Sequence, residues 1–219
     1  MTQQPMLLAQ IVWMEDYQGF ENTPTFKEFL DDNDFDYIYE MINFEPINGR
    51  CYGYAEVSPH ERNGKKTYPK LKIEKLGADK NANVVEGVLV VFIAKKPENS
   101  SQTVSGKKVV GWYRNASVYR ERQIPDGDVA KSRTYKTRYG EEEVFAYWFS
   151  AKEEDCVLLP NERRELTVPC NGPKDCPGRF SFFYPDPVNK PDFKEKEKEI
   201  RNFIKKYDSN GEKTKGKET

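Results

Sequence analysis

The chain has 219 residues, 37% of them hydrophobic and 32% charged, with a mean hydropathy of −0.88. That composition suits a water-exposed globular unit and argues against wholesale disorder. No apolar run reaches the eighteen or so residues that span a bilayer, and Met1–Gln10 has no basic stretch ahead of an apolar one, so a cytoplasmic protein without a membrane partner is expected.

The formal net charge of −1 conceals a segregation. Residues 1–60 hold eleven acids and two bases, residues 61–140 eight acids and eighteen bases, and residues 141–219 seventeen and fifteen. A local positive field is thus compatible with a near-neutral total, although the basic segment could equally pair with the acidic one inside the fold.

Met6 to Trp13 reads as a first strand. Thr25 and Glu28 form a capping-box pattern for a short helix with Phe26, Phe29 and Leu30 on one face. Arg50 to Val57 alternates, placing Tyr52 and Tyr54 on one side and Cys51, Gly53, Ala55 and Val57 on the other. A polar, lysine-rich loop follows, and then Leu71 to Leu76 as a short strand. The continuous apolar run Val88 to Ala94 predicts a central strand buried on both faces, paired as a hairpin with a strand over Val109 to Arg120.

A second basic loop, Glu121 to Gly140, leads to a strand over Val144 to Ser150. Val157 to Val168 predicts an apolar turn and a short strand, and Arg179 to Tyr184 a last strand stopped by Pro185 and Pro187. From Asp192, the spacing of Ile200, Phe203, Ile204 and Tyr207 predicts a helix that docks one face on the sheet. Residues 1–207 are expected to form one domain and 208–219, without apolar residues, a polar tail or linker.

Reaction signatures are missing. There is no GxxxxGK[ST], no GxGxxG after a strand and no GxSxG, and His60, the single histidine, sits in a polar stretch expected at the surface. Cys51, Cys156, Cys170 and Cys176 are expected as reduced thiols. Only Cys170 and Cys176 are close in sequence, so neither a metal site nor a cofactor is expected. Asp31 with Asp32 and Glu141 to Glu143 read as solvated acidic faces.

The informative block is Val109-Val110-Gly111-Trp112-Tyr113-Arg114-Asn115-Ala116. Aromatic planes stack on bases, an asparagine bonds a base edge, and basic side chains neutralise phosphates. Trp112, Tyr113, Asn115, Trp148, Tyr147 and Tyr54 are therefore candidate base contacts. Arg114, Arg120, Lys65, Lys66, Lys107 and Lys108 are candidate phosphate contacts. Trp and Tyr on alternating strands are also core-formers, and for Trp112 and Trp148 the two roles stand open.

The buried strand, the polar loop and the Val-Val-Gly-aromatic strand opening resemble the PUA-like superfamily, especially its EVE and YTH branches. The Gly111–Ala116 block, Leu158-Leu159-Pro160, Val168-Pro169 and Gly178 to Tyr184 are more closely similar to a bacterial N-terminal domain found fused to HNH-type or other nuclease modules. The likeness covers residues 40–207 and implies an α+β fold, a PUA-like curled mixed sheet or barrel flanked by helices. It further implies a non-enzymatic reader that holds a flipped, modified DNA base in an aromatic cage for a restriction or phage-defence system, with the nuclease fused or acting in trans. An RNA-binding domain of the same fold, a protein-interaction domain with every ring in its core, and an enzyme acting on a nucleotide or base are the alternatives.

Overall fold

The computed structural model describes residues 3–19, 38–97, 106–136, 139–168, 181–185 and 193–209. The helix expected after Thr25 and the cysteines Cys170 and Cys176 lie outside the described residues. The described strands are β1 (Met6–Ile11), β2 (Arg50–Gly53), β3 (His60–Arg62), β4 (Lys65–Thr67), β5 (Val84–Ala94), β6 (Lys107–Gln123), β7 (Thr134–Lys136), β8 (Glu142–Val144), β9 (Tyr147–Lys152), β10 (Cys156–Leu158), β11 (Thr167–Val168) and β12 (Phe182–Phe183). Two α-helices, α1 (Gly127–Ser132) and α2 (Lys194–Ser209), are described. The architecture is α+β: a mixed eight-stranded sheet in the order β12-β1-β5-β6-β9-β2, with β10 and β11 also paired to β6, and the two small hairpins β3–β4 and β7–β8. Among the described residues no helix is long and apolar enough to cross a membrane.

The apolar run Val88 to Ala94 forms the centre of β5, between β1 in parallel and β6 antiparallel. Its side chains alternate as period-two geometry demands. Val88, Val90, Phe92 and Ala94 enter one core cluster with Tyr113, Trp148 and Phe149, whereas Leu89, Val91 and Ile93 enter a second with Trp112, Ile200 and Ile204. A sheet with apolar groups on both faces needs two covers, and α2 supplies one. The predicted helical spacing holds: Ile200 and Ile204 are buried against the sheet, and Phe203 and Tyr207 pack beside them. Arg201 fastens the helix through Glu197 at 2.6 Å and the Gln4 carbonyl at 2.8 Å, and Arg114 pairs with Asp208 near its C-terminal end.

β6 is 17 residues long and changes partners along one edge. Lys107 and Lys108 face β11, Gly111 to Tyr113 face β10, and Ser117 to Gln123 face β9. Between the last two partners the strand bulges. Val90 pairs with Tyr113 and Val88 with Ala116, so Arg114 and Asn115 together oppose Leu89. Asn115 takes the left-handed conformation there, φ 47°, which asparagine tolerates better than most residues.

Several expected elements differ. β2 stops at Gly53, and Tyr52 and Tyr54 do not share a side: Tyr52 meets Tyr147, while Tyr54 enters the inner cluster against Tyr39. The Asn43 side chain causes the departure by bonding the Tyr54 amide at 2.7 Å and its carbonyl at 2.8 Å, taking the place of a strand partner. The lysine-rich loop is the β3–β4 hairpin, turned by Asn63 and Gly64 with φ 53° and 72°. Two successive positive φ values are the signature of a type I′ hairpin turn. Leu71 to Leu76 is not a strand but an approach to a 3₁₀ helix, Ile73–Leu76.

Buried arginines complete the interior. Arg133, fully enclosed, donates to the carbonyls of Phe145 at 2.9 Å, Tyr52 at 3.0 Å and Ala146 at 3.1 Å. Burial pulls its pKa down to about 10, so it stays charged and its hydrogen bonds replace water. Arg164 does the same for Leu159, Met14 and Glu15, at 2.9, 2.6 and 2.8 Å.

A lysine-rimmed cleft as candidate functional site

The expected aromatic cage is not assembled around an opening. Trp112 and Tyr113 are both fully buried and, as neighbours on β6, project to opposite faces of the sheet. Trp112 lies under α2, edge-on to Tyr207 at 5.4 Å and Phe203 at 6.3 Å, with the Arg114 guanidinium 5.6 Å from its ring. Tyr113 meets Phe92 at 4.8 Å and Phe44 at 5.3 Å and donates its hydroxyl proton to the Asn43 carbonyl. Trp148 and Tyr54 are likewise core residues. All four rings are enclosed by α2 or the inner cluster, so of the two roles left open for Trp112 and Trp148 the structure places both in the core.

Two candidate base contacts keep some surface. Tyr147 is half-buried in a cluster with Tyr52 at 5.0 Å and Tyr119 at 5.6 Å. Asn115 is exposed, but its conformation serves the bulge and its amide donates to Asp155 at 3.1 Å.

The phosphate candidates divide similarly. Lys107, expected as a phosphate contact, is instead buried, with its ammonium donating to the Gln10 side chain inside the fold. Arg114 is tied to Asp208. Arg120 bonds the Ala82 carbonyl at 2.7 Å, Glu74 at 2.9 Å and the Asp79 carbonyl at 3.3 Å, and Lys108 bonds the Glu165 carbonyl at 2.9 Å and Thr167 at 2.8 Å. Arg114, Arg120 and Lys108 thus serve first as internal struts. Lys65 and Lys66 on β4 are exposed, as is Arg62, which pairs with Lys65 on β3.

The hairpin ends two residues before Pro69, which begins one wall of a cleft of about 440 Å³. Its size lies within the range of small-molecule sites. Leu71 anchors that wall by donating its amide to the Arg120 carbonyl at 2.8 Å, and buried Ile73 and Leu76 pin the 3₁₀ turn. Lys72 caps the 3₁₀ helix that holds Lys75, its carbonyl accepting the Lys75 amide proton at 3.0 Å, and both side chains line the cleft. Together with Lys70 they form an exposed cationic rim. Lys70 pairs with Glu121, and the Lys75 ammonium lies 5.6 Å from the Tyr184 ring centroid.

The opposite wall is Ser181 to Tyr184, beside Val57 and Ser58. β12 holds it by pairing with β1, and the Gln10 amide donates to the Ser181 carbonyl at 2.7 Å. The Tyr184 hydroxyl accepts the Lys72 amide proton at 3.0 Å, joining the two walls, and burial pushes its pKa up to about 12. Phe182 forms part of the lining and continues inward, edge-on to Trp148 at 5.7 Å and Phe149 at 5.8 Å. Behind that lining the Trp148 indole N–H has no hydrogen-bond partner. Chemically, the cleft offers an apolar and aromatic lining beneath exposed ammonium groups, which suits a flat or apolar group carrying negative charge.

Among the described residues no group of three or more His, Cys, Asp or Glu is arranged to hold a metal. Compared with protein-family models, curated proteins and solved structures, the chain matches none.

The sequence reading passed over Lys70, Lys72, Lys75, Phe182 and Tyr184 as site residues. Their signal was the crowding of lysines in Lys65 to Lys75 beside Pro69, in a segment whose few apolar residues, Leu71, Ile73 and Leu76, suffice only to anchor it.

Proposed function

We propose that this chain is a non-enzymatic nucleic-acid reader of PUA-like type, which takes a flipped and modified DNA base into the cleft between Pro69–Lys75 and Ser181–Tyr184. The cleft carries the reading, because it sets an aromatic and apolar lining under three exposed lysines, the combination a base and its flanking phosphates require. The β3–β4 hairpin adds Arg62, Lys65 and Lys66 on the adjoining stretch of chain, suited to contact the backbone on either side of the target. Cleavage of the marked DNA would belong to a nuclease module, fused or in trans, as in a modification-dependent restriction system.

Fluorescence anisotropy on matched duplexes, unmodified or carrying methylated, hydroxymethylated or glucosylated bases, tests this, with single-stranded RNA as the competing ligand. The expected result is preference for one modified duplex and an affinity that falls log-linearly with salt. Reversing Lys70, Lys72 and Lys75 to Glu should weaken binding more than tenfold, and reversing Lys65 and Lys66 should weaken all duplexes alike. Binding to no nucleic acid at low salt would remove the proposal, and tighter binding to RNA would replace DNA as the target.

A further inference from the structure

The polar side chains that line the cleft are the ammonium groups of Lys70, Lys72 and Lys75 and the hydroxyls of Ser58, Ser181 and Tyr184; the rest of the lining is apolar, and it holds no carboxylate and no carboxamide. The Ser181 hydroxyl is already given to the Glu56 carbonyl. The Tyr184 hydroxyl accepts the Lys72 amide proton at 3.0 Å, and no described residue accepts its own proton, which it keeps at neutral pH because burial pushes its pKa up to about 12. What these side chains leave for a ligand is chiefly a set of donors, and donors call for acceptors.

The three cations also differ among themselves. Lys70 pairs with Glu121, and Glu74, beside Lys75 in sequence, pairs with Arg120. Lys72 and Lys75 form no ion pair with any described residue, although both are exposed and both line the cleft. The Lys75 ammonium stands 5.6 Å from the centroid of the Tyr184 ring, so positive charge lies against the aromatic wall itself. A neutral ring entering there would strip water from that ammonium and return no bond to it. A carboxylate carried by the ring would return a charge-assisted one.

Given the reader function proposed above, on which this assignment rests, we propose that the mark taken by the cleft is acidic: a base bearing a carboxylate, with its ring on the apolar lining and its carboxylate held by Lys72 and Lys75. Flanking phosphates do not supply this discrimination, because every nucleotide of a duplex carries one and pairing with it does not separate marked from unmarked DNA. Arg62, Lys65 and Lys66 on the hairpin are exposed for that general contact. Methyl, hydroxymethyl and glucosyl groups would leave Lys72 and Lys75 without a counter-charge, whereas a carboxylate offers two oxygens to two ammonium groups.

The full chain is titrated, with fluorescence anisotropy as readout, into duplexes of one sequence that carry at one position cytosine, 5-methylcytosine, 5-hydroxymethylcytosine, its glucosylated form, 5-carboxylcytosine or the uncharged isostere 5-carbamoylcytosine. At low salt the 5-carboxylcytosine duplex should bind at least tenfold more tightly than the 5-carbamoylcytosine duplex, and the ratio should shrink as added salt screens the extra pair. Lys72→Gln combined with Lys75→Gln should collapse that ratio to below about threefold. Lys65→Gln combined with Lys66→Gln should lower both affinities and keep the ratio. Equal binding of the carboxyl and carbamoyl duplexes, or tightest binding of a methylated, hydroxymethylated or glucosylated one, would overturn the acidic mark and leave the reader function standing. A ratio that survives the Lys72 and Lys75 changes would overturn their role in holding it. Binding to none of the duplexes, or tightest binding to unmodified cytosine, would overturn both readings together.

Discussion

Glu40 offers the sharpest quantitative test of the interior. It lies in the 3₁₀ turn Tyr39–Ile42 and is 1% exposed; one carboxyl oxygen accepts the Glu56 amide proton at 2.9 Å and the other has no partner. Burial, with one hydrogen bond as partial relief, pushes its pKa up from 4.5 to about 8. Between those values the native chain keeps a proton that the unfolded chain has released. Stability from this group is therefore full below about pH 4.5, falls by up to about 1.4 kcal/mol per pH unit, and levels off above about pH 8. From pH 5 to pH 8 the integrated loss is about 3–4 kcal/mol. Glu40→Gln keeps the acceptor for the Glu56 amide and cannot ionise. Urea unfolding of both chains at pH 5, 6, 7 and 8, at constant ionic strength, should show the variant gaining on the parent by about that amount across the series, since contributions of groups not coupled to Glu40, as Glu56 is, cancel in the difference. Parallel pH profiles would show that Glu40 is ionised in the folded chain, and the account of its burial would fail.

The remaining predictions concern the sheet. Trp112→Ala and Trp148→Ala should each cost about 3–5 kcal/mol of folding stability, read by denaturant melts, because both rings are enclosed; a normal melting point with weakened ligand binding would return them to a pocket. Phe at either position should cost less than Ala, since it retains a ring and removes an indole N–H that has no partner. A Cβ added at Gly111 would meet the Val157 carbonyl oxygen at 2.4 Å and Phe44 at 2.6 Å. Gly111→Ala should therefore push β10 from β6 and lower stability by about 1–3 kcal/mol in the same melts, and an unchanged melt would contradict the close strand approach.

The Gly111 contact also explains why the Val-Val-Gly-Trp-Tyr block was open to two readings. Its glycine and rings are the parts of a base pocket, but they are equally the parts of a strand crowded on one edge by β10 and sandwiched between two cores. Alternation along β6 reveals that Trp112 and Tyr113 face opposite ways; it does not reveal what covers each face. The cover over Trp112 is α2, some eighty residues further along the chain, whose stripe of Ile200, Phe203, Ile204 and Tyr207 was legible as a docking face without an address. Val88 to Ala94 was legible in full because a run apolar at every position admits only a strand buried on both sides or a buried helix, and seven residues are short for the latter. The Asn63-Gly64 hairpin carried a local signal, the commonest dipeptide of a type I′ turn, that the lysines around it obscured.

Charge was the least legible property, because residue type does not tell a solvated cation from an enclosed one. Arg133 and Lys107 belong to the basic segment and are both buried, the first bonded to three carbonyls and the second to Gln10, while Arg114 and Arg120 are held by Asp208 and Glu74. The field of that segment is therefore weaker where the sequence seemed richest, along β6. It is concentrated where the backbone turns outward, on the β3–β4 hairpin and the cleft rim. A guanidinium can satisfy several carbonyls from one fixed plane and so can be built into a core, whereas an ammonium is a strongly hydrated point charge, and apart from the enclosed Lys107 the lysines of the hairpin and cleft rim stay at the surface. That asymmetry moves the search for a phosphate-bearing ligand from the arginines of β6 to Lys65, Lys66, Lys70, Lys72 and Lys75.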